Sequence, residues 1–187
     1  MGSKHSKGGA RAEVARILPQ NWAELEHLHL RFQQEVHRHG RTDPQSQFFL
    51  AFPAFQTILA PICTATGTDK TQLLAIFTTL DRRQKRKLAV VDFFSGLALV
   101  VEGKKSIKFE FILSLLDNGG MKTLNKCELM MVLMAAARGL AMFKRLPDVR
   151  EELMKPLAKR KFPHHSHVVD KAMADAEIIF FMNDLGS

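Results

Sequence analysis

Apolar residues recur at helical spacing along most of the chain. After Asn21, a residue type that often caps helices, the segment WAELEHLHLRFQQEV carries apolar residues three and four positions apart, which is typical of an amphipathic helix. Another helix is predicted after Gly67, with Thr68 or Asp69 as its cap. Further apolar runs of helical length cover residues 48–66, 89–101, 106–116, 125–143 and 168–184. The pattern therefore predicts an all-α fold.

Two of these helical units repeat, with their first acidic residues at positions 81 and 117. Each unit has an apolar helix, then an acid, an aliphatic residue at the eighth place and a second acid at the twelfth, before another apolar helix. The residues are Asp81, Leu88 and Asp92 in one unit and Asp117, Leu124 and Glu128 in the other. Here the chain resembles the EF-hand family and is similar to the second and third hands of its calcineurin-B and neuronal-calcium-sensor branch.

The resemblance implies helix–loop–helix repeats in two paired lobes, with at most very short β segments between paired loops. Phe55 stands in the place of Phe93 in a first hand whose loop carries an insertion, and residues 176–187 are similar to the entering helix of a fourth hand. The expected organisation is a flexible basic tail over 1–20, an N-terminal lobe over 21–103 and a C-terminal lobe over 104–187 with a truncated fourth hand.

The resemblance also implies a calcium loop at residues 117–128. Its ligands would be the carboxylates of Asp117 and Glu128, the carbonyl of Thr123, and a water held by Asn125. Two ligand positions lack side-chain oxygen, and a lysine takes the usual glycine position; these residues are Gly119, Met121 and Lys122. We expect calcium to bind this loop weakly or not at all, and we expect no other cofactor.

The 81–92 loop is less suited to calcium. Its two carboxylates are opposed by five basic residues, which are Arg82, Arg83, Lys85, Arg86 and Lys87. Their excess positive charge would repel a doubly charged cation. In the first unit, Ala54 stands where the family has its bidentate carboxylate.

Composition indicates a folded protein with an acidic counterpart. Hydrophobic residues make up 46% of the 187 positions, and the formal net charge is +8. An anionic membrane surface, an acidic protein or a nucleic acid would match that charge. Cys63 and Cys127 lie in apolar helical contexts, which predicts small buried side chains in a reducing, intracellular setting rather than a disulfide.

The amino terminus MGSKHSK fits the myristoylation pattern, with Gly2 terminal once Met1 is removed. A single acyl chain holds a protein to a membrane only marginally, so a second signal is needed. Basic residues close by could supply it, namely Lys4, Lys7, Arg11 and Arg16. The hypothesis places the protein on the cytoplasmic face of a membrane; the alternative is an ordinary polar leader.

The basic run RRQKRK at 82–87 has two interpretations. It resembles a nucleic-acid patch, but no aromatic residue flanks it in sequence to stack on bases. We therefore expect a solvated loop that contacts an anionic membrane or an acidic partner rather than a nucleic acid. The histidines of HHSH at 164–167 lack a further ligand at metal-binding spacing, which favours a linker.

Methionines cluster in the run from 125 to 143, at Met130, Met131, Met134 and Met142. They are interpreted either as core or as the groove that binds a partner helix in this family. No nucleophile–base arrangement or phosphate loop is present, so we expect no enzymatic activity. The predicted function is a membrane-tethered EF-hand-like adaptor or regulatory module. The alternatives are a calcium sensor with one weak site at 117–128, the regulatory N-terminal domain of a larger enzyme, and a basic nucleic-acid-binding domain.

Overall fold

A computed structural model describes residues 14–39, 44–116 and 126–144; for residues 39, 44, 105, 126–130 and 144 it describes the backbone alone. The chain is mostly helical, as predicted, with 75% of the described residues in helices. The elements are α1 Trp22–His39, a 3₁₀ turn Pro44–Gln47, β1 Phe49–Ala51, α2 Phe52–Thr66, α3 Lys70–Leu80, β2 Lys87–Ala89, α4 Val90–Val100, α5 Lys105–Ser114 and α6 Lys126–Lys144.

Two helices begin at the residues that the sequence indicates. Asn21 Oδ1 accepts the backbone N–H of Glu24 at 3.0 Å before α1. Asp69 and Gln72 form a reciprocal capping box at the start of α3, with the Gln72 N–H donating to Asp69 Oδ1 at 2.8 Å. Both caps satisfy N–H groups that would otherwise lack a partner in the first helical turn.

Helix was predicted from residue 48, but the structure places β1 at Phe49–Ala51 and starts α2 at Phe52. Pro53 fits the first turn of a helix, where its missing N–H is not needed. The strand pairs antiparallel with β2, and Leu50 stands opposite Leu88. Both leucines are buried, so their apolar side chains fix the register of this short sheet. Leu88, at the eighth loop place, lies in one of the very short β segments that the resemblance implies; Leu124 lies outside the described residues.

The chain divides between Val90 and Val91 into two compact units. In unit 1 the core is aromatic and aliphatic: the Phe55 ring meets the Phe77 ring edge to face, with centroids 5.2 Å apart. Val14 and Ile17 are also buried, within the predicted tail of residues 1–20. The lobe boundary predicted at 103 and 104 depends on the EF-hand pairing and stays a prediction.

In unit 2 a close helix crossing joins α4 to α6. A Cβ added to Gly96 would collide with the carbonyl oxygen of Gly139, and one added to Gly139 would collide with the backbone of Asp92 and Gly96. Phe93 and Phe143 cover the crossing, with ring centroids 6.1 Å apart. The two helices therefore pack backbone to backbone, because neither glycine has a side chain to keep them apart.

Candidate functional site

Two features are candidates for a functional role: the loop after α3, in unit 1, and the first turn of α4, in unit 2. Asp81 ends α3 and is 8% exposed. Its Oδ1 accepts the backbone N–H of Lys85 at 3.0 Å, and its Oδ2 accepts the N–H of Arg86 at 2.6 Å. Hydrogen bonds to an ionised acceptor are among the stronger ones in proteins, so this carboxylate holds the loop in a tight turn.

Two loop residues adopt left-handed backbone conformations. Gln84 has φ of 52° and Arg86 has φ of 56°. Residues with a Cβ pay roughly 1–2 kcal/mol for this conformation. The turn is retained because it directs the N–H of Arg86 towards the Asp81 carboxylate.

Asp92 lies in the first turn of α4 and is 7% exposed. The guanidinium of Arg138, on α6, donates from Nε to Asp92 Oδ2 at 2.9 Å and from Nη2 to Oδ1 at 3.0 Å. This two-pronged geometry uses both carboxylate oxygens. The Arg138 guanidinium therefore engages both carboxylate oxygens of the acid at the twelfth place of the 81–92 loop.

The basic side chains border an aromatic surface. Residues 82–87 form what we call the basic loop, where Arg82, Arg83, Lys85 and Arg86 are exposed and Lys87 is half-buried. The Lys87 ammonium lies 3.9 Å from the centroid of the Phe49 ring, a cation–π contact. Phe49 is 36% exposed and its neighbour Phe48 is 54% exposed. No aromatic residue flanks the basic run in sequence, but β1 places the Phe49 ring against Lys87 in space.

The predicted calcium residues lie largely beyond the described structure. Asp117, Thr123 and Asn125 are outside the described residues, and of Glu128 only the backbone is described, in α6. Within residues 14–39, 44–116 and 126–144, no group of three or more His, Cys, Asp or Glu side chains could hold a metal ion.

Of the membrane-contact residues predicted in the tail, the structure describes one. Arg16 is exposed, whereas Gly2, Lys4, Lys7 and Arg11 lie outside the described residues, as do the histidines at 164–167. Among the helices that the structure describes, none has both the length and the apolar character needed to cross a bilayer.

The methionines of α6 differ in exposure. Met131 is 56% exposed, Met134 and Met142 are half-buried, and of Met130 only the backbone is described. At 100° per residue, the three described side chains fall on one side of the helix. That side also carries Arg138.

Unit 1 contains a groove between α1 and α2 that no sequence motif indicates. Its volume is about 560 Å³, and Leu28, Leu30, Ile58, Pro61 and Ile62 supply its apolar lining. Leu30 is 52% exposed there. The sequence motifs lie in loops, in the tail and in the methionine cluster of α6, and none of them indicates a surface formed by the faces of α1 and α2.

Two groups outside the loop have shifted pKa values. Burial lowers the pKa of His29, whose ring stacks on Phe32, so the neutral imidazole is favoured. Burial raises the pKa of the half-buried Cys63 thiol, partly offset by a backbone hydrogen bond. The thiol form is less nucleophilic than a thiolate. Cys63 was predicted to be buried and is half-buried; the side chain of Cys127 is not described.

Comparison with protein-family models, with curated protein sequences and with solved structures finds no match to this chain.

Proposed function

We propose that the chain is a membrane-tethered, EF-hand-like adaptor or regulatory module that binds a partner helix or peptide without needing calcium. One observation carries the proposal: the acids at the first and twelfth places of the 81–92 loop are both engaged by protein groups. Asp81 accepts two backbone N–H groups, and Asp92 is held by Arg138. A calcium loop needs those oxygens for the ion.

The backbone of unit 1 supports the family resemblance. Leu50 lies four residues before Ala54 and Leu88 lies four residues before Asp92, so each holds the eighth place of its loop; the two are paired across the sheet. Arg86 holds the sixth place, where EF-hand loops have glycine for a sharp turn. Its φ of 56° is the conformation for which glycine is suited.

Two surfaces could receive a partner. The exposed Met131 and the half-buried Met134 and Met142 give α6 a flexible apolar face of the kind that binds amphipathic helices. The groove between α1 and α2 is a second candidate. Tethering rests on Gly2 and the basic tail; mass spectrometry of the N-terminal peptide from native cells tests it, and an unmodified Gly2 would remove that part of the proposal.

Thermal unfolding in calcium and in chelator tests the proposed independence from the ion. We expect coincident curves for the full chain. A micromolar site would instead be stabilised by roughly 4 kcal/mol at millimolar calcium, because an ion that binds only the native state shifts the folding equilibrium.

Two variants assign any stabilisation that calcium produces. A shift that disappears in Glu128→Gln would make the 117–128 loop a working site and the protein a calcium sensor. A shift that survives Glu128→Gln but disappears in Asp92→Asn would place the ion in the 81–92 loop. Either result contradicts the proposal.

A further inference from the structure

The outer face of the two-stranded sheet lies beside the basic loop. Side chains alternate along a strand, so burial of Leu50 and Leu88 turns Phe49 and Lys87 to the opposite face. The residue before the strand, Phe48, is anchored through its carbonyl, which accepts the Val90 N–H at 2.9 Å. The partly exposed ring of Phe49 is therefore held against Lys87, and the exposed ring of Phe48 adjoins it in the chain at the end of the sheet.

We propose that this sheet–loop surface, defined as Phe48, Phe49 and the basic loop 82–87, docks on an anionic lipid bilayer. The inference rests on the proposed function and deepens it: it identifies the membrane contact within the folded part of the chain. The tail and its acyl group are not needed for this contact.

The charge of the surface is directed outwards. Asp81 is buried and its carboxylate is turned inwards onto the N–H groups of Lys85 and Arg86. The cationic side chains of the basic loop are exposed or half-buried instead. Basic groups at a protein surface are attracted to anionic headgroups over about one Debye length.

The phenyl rings favour a bilayer over a nucleic acid. Phe has no polar atom, and Phe48 and Phe49 expose 54% and 36% of their surface. The Lys87 ammonium already covers one face of the Phe49 ring at 3.9 Å, and a stacked base would need such a face. A bilayer interface instead accepts the rings, while the lysine stem lies along apolar surface and its ammonium reaches the headgroups.

Vesicle sedimentation of the full chain, made without acylation, tests the inference. The probes are vesicles of phosphatidylcholine alone and of phosphatidylcholine with roughly one third phosphatidylserine. We expect binding to the second only. Phe48→Ser/Phe49→Ser and Arg82→Gln/Arg83→Gln/Lys85→Gln should each weaken it by about tenfold or more, since one removes the apolar and the other the electrostatic contribution.

Matched controls remove equivalent groups elsewhere on the described part of the chain. Leu74→Ser/Ile107→Ser deletes two exposed apolar side chains, 46% and 41% exposed. Arg31→Gln/Arg38→Gln/Lys70→Gln deletes three exposed cations. We expect both controls to bind as the parent does. Arg86 and Lys87 are left unchanged, because one has a left-handed backbone and the other stacks on Phe49.

A fluorescence measurement tests contact with the bilayer without removing a cation or an aromatic ring. Phe48→Trp should show a blue shift of emission on phosphatidylserine vesicles, while the parent, with Trp22 alone, should not. Equal losses in the loop variants and their controls, no loss in the Phe48/Phe49 variant, or tighter binding to duplex DNA than to the vesicles would overturn the inference. A calcium-dependent melting curve would overturn the proposed function yet leave the vesicle result intact, so the two can fail separately.

Discussion

The two units of the chain are stabilised by different kinds of contact. In unit 1, large side chains fill the core, as in the edge-to-face pair of Phe55 and Phe77, and a short sheet links the loops. In unit 2, Gly96 and Gly139 let two backbones touch, and the Arg138–Asp92 pair fixes the same helices. Side chains can change rotamer to accommodate a substitution, but touching backbones cannot. Unit 2 should therefore be less tolerant of added atoms.

The largest effect is expected from Gly139→Ala. The added methyl collides with the backbone of Asp92 and Gly96, which can move only if α4 and α6 separate. We expect the free energy of unfolding to fall by about 3 kcal/mol, as overpacking of a close contact does. Urea unfolding measures the change.

Leu73→Met provides the comparison in unit 1, because it alters the shape of a buried side chain at nearly constant volume. Its cost should stay below about 1.5 kcal/mol. Alanine is also a better helix former than glycine by about 1 kcal/mol, so a stabilised Gly139→Ala variant would mean that the crossing is loose.

A smaller effect is expected when the ion pair of unit 2 is broken. Arg138→Met leaves the Asp92 carboxylate, 7% exposed, without the cation that holds it. The free energy of unfolding should fall by about 2 kcal/mol. This is less than the loss on breaking a fully buried ion pair, because the Arg138 side chain is itself 32% exposed.

The double variant Asp92→Leu/Arg138→Met distinguishes two costs: that of a buried carboxylate without Arg138, and that of losing the packing of the Arg138 side chain. It should recover at least half of the loss, because replacing both partners also removes the buried carboxylate. If Arg138→Met unfolds with the parent's stability, or the double variant is no better than the single one, Arg138 does not secure unit 2 through Asp92.

Local patterns were enough to predict the features that depend on neighbours in sequence. The Asp69 cap and the helix after Asn21 follow from residue types and short spacings, and the structure contains both. The short strand at Leu88 is a feature that the family resemblance implies, and the structure contains it too. The weakness of the 81–92 loop as a calcium site was likewise inferred from its own charges, and it stays a prediction.

Features made by distant residues had no such signal. Asp92 and Arg138 are 46 positions apart, and nothing local to either indicates their pairing. Phe48 and Phe49 were assigned to a helix because the apolar run 48–66 is continuous, whereas a three-residue strand is too short to show alternation. Tertiary pairing with β2 decided the conformation.

The smallest effect is expected in unit 1, from Arg86→Gly. Arg86 has φ of 56°, where an L-residue pays roughly 1–2 kcal/mol, while glycine does not. Glycine also loses more backbone conformational entropy on folding, and this offsets about 0.5–1 kcal/mol of the stabilisation. We expect a net stabilisation of about 0.5–1 kcal/mol, measured by urea unfolding, since the N–H that donates to Asp81 Oδ2 is retained.

Lys85→Gly is the matched control, because it also removes one exposed cation, keeps its N–H bond to Asp81 and lies outside the left-handed region. It should destabilise by about 0.5–1 kcal/mol. If both variants shift the free energy of unfolding in the same direction, the effect comes from removing a charge rather than from relieving backbone strain. The left-handed conformation of Arg86 would then not favour glycine at this position.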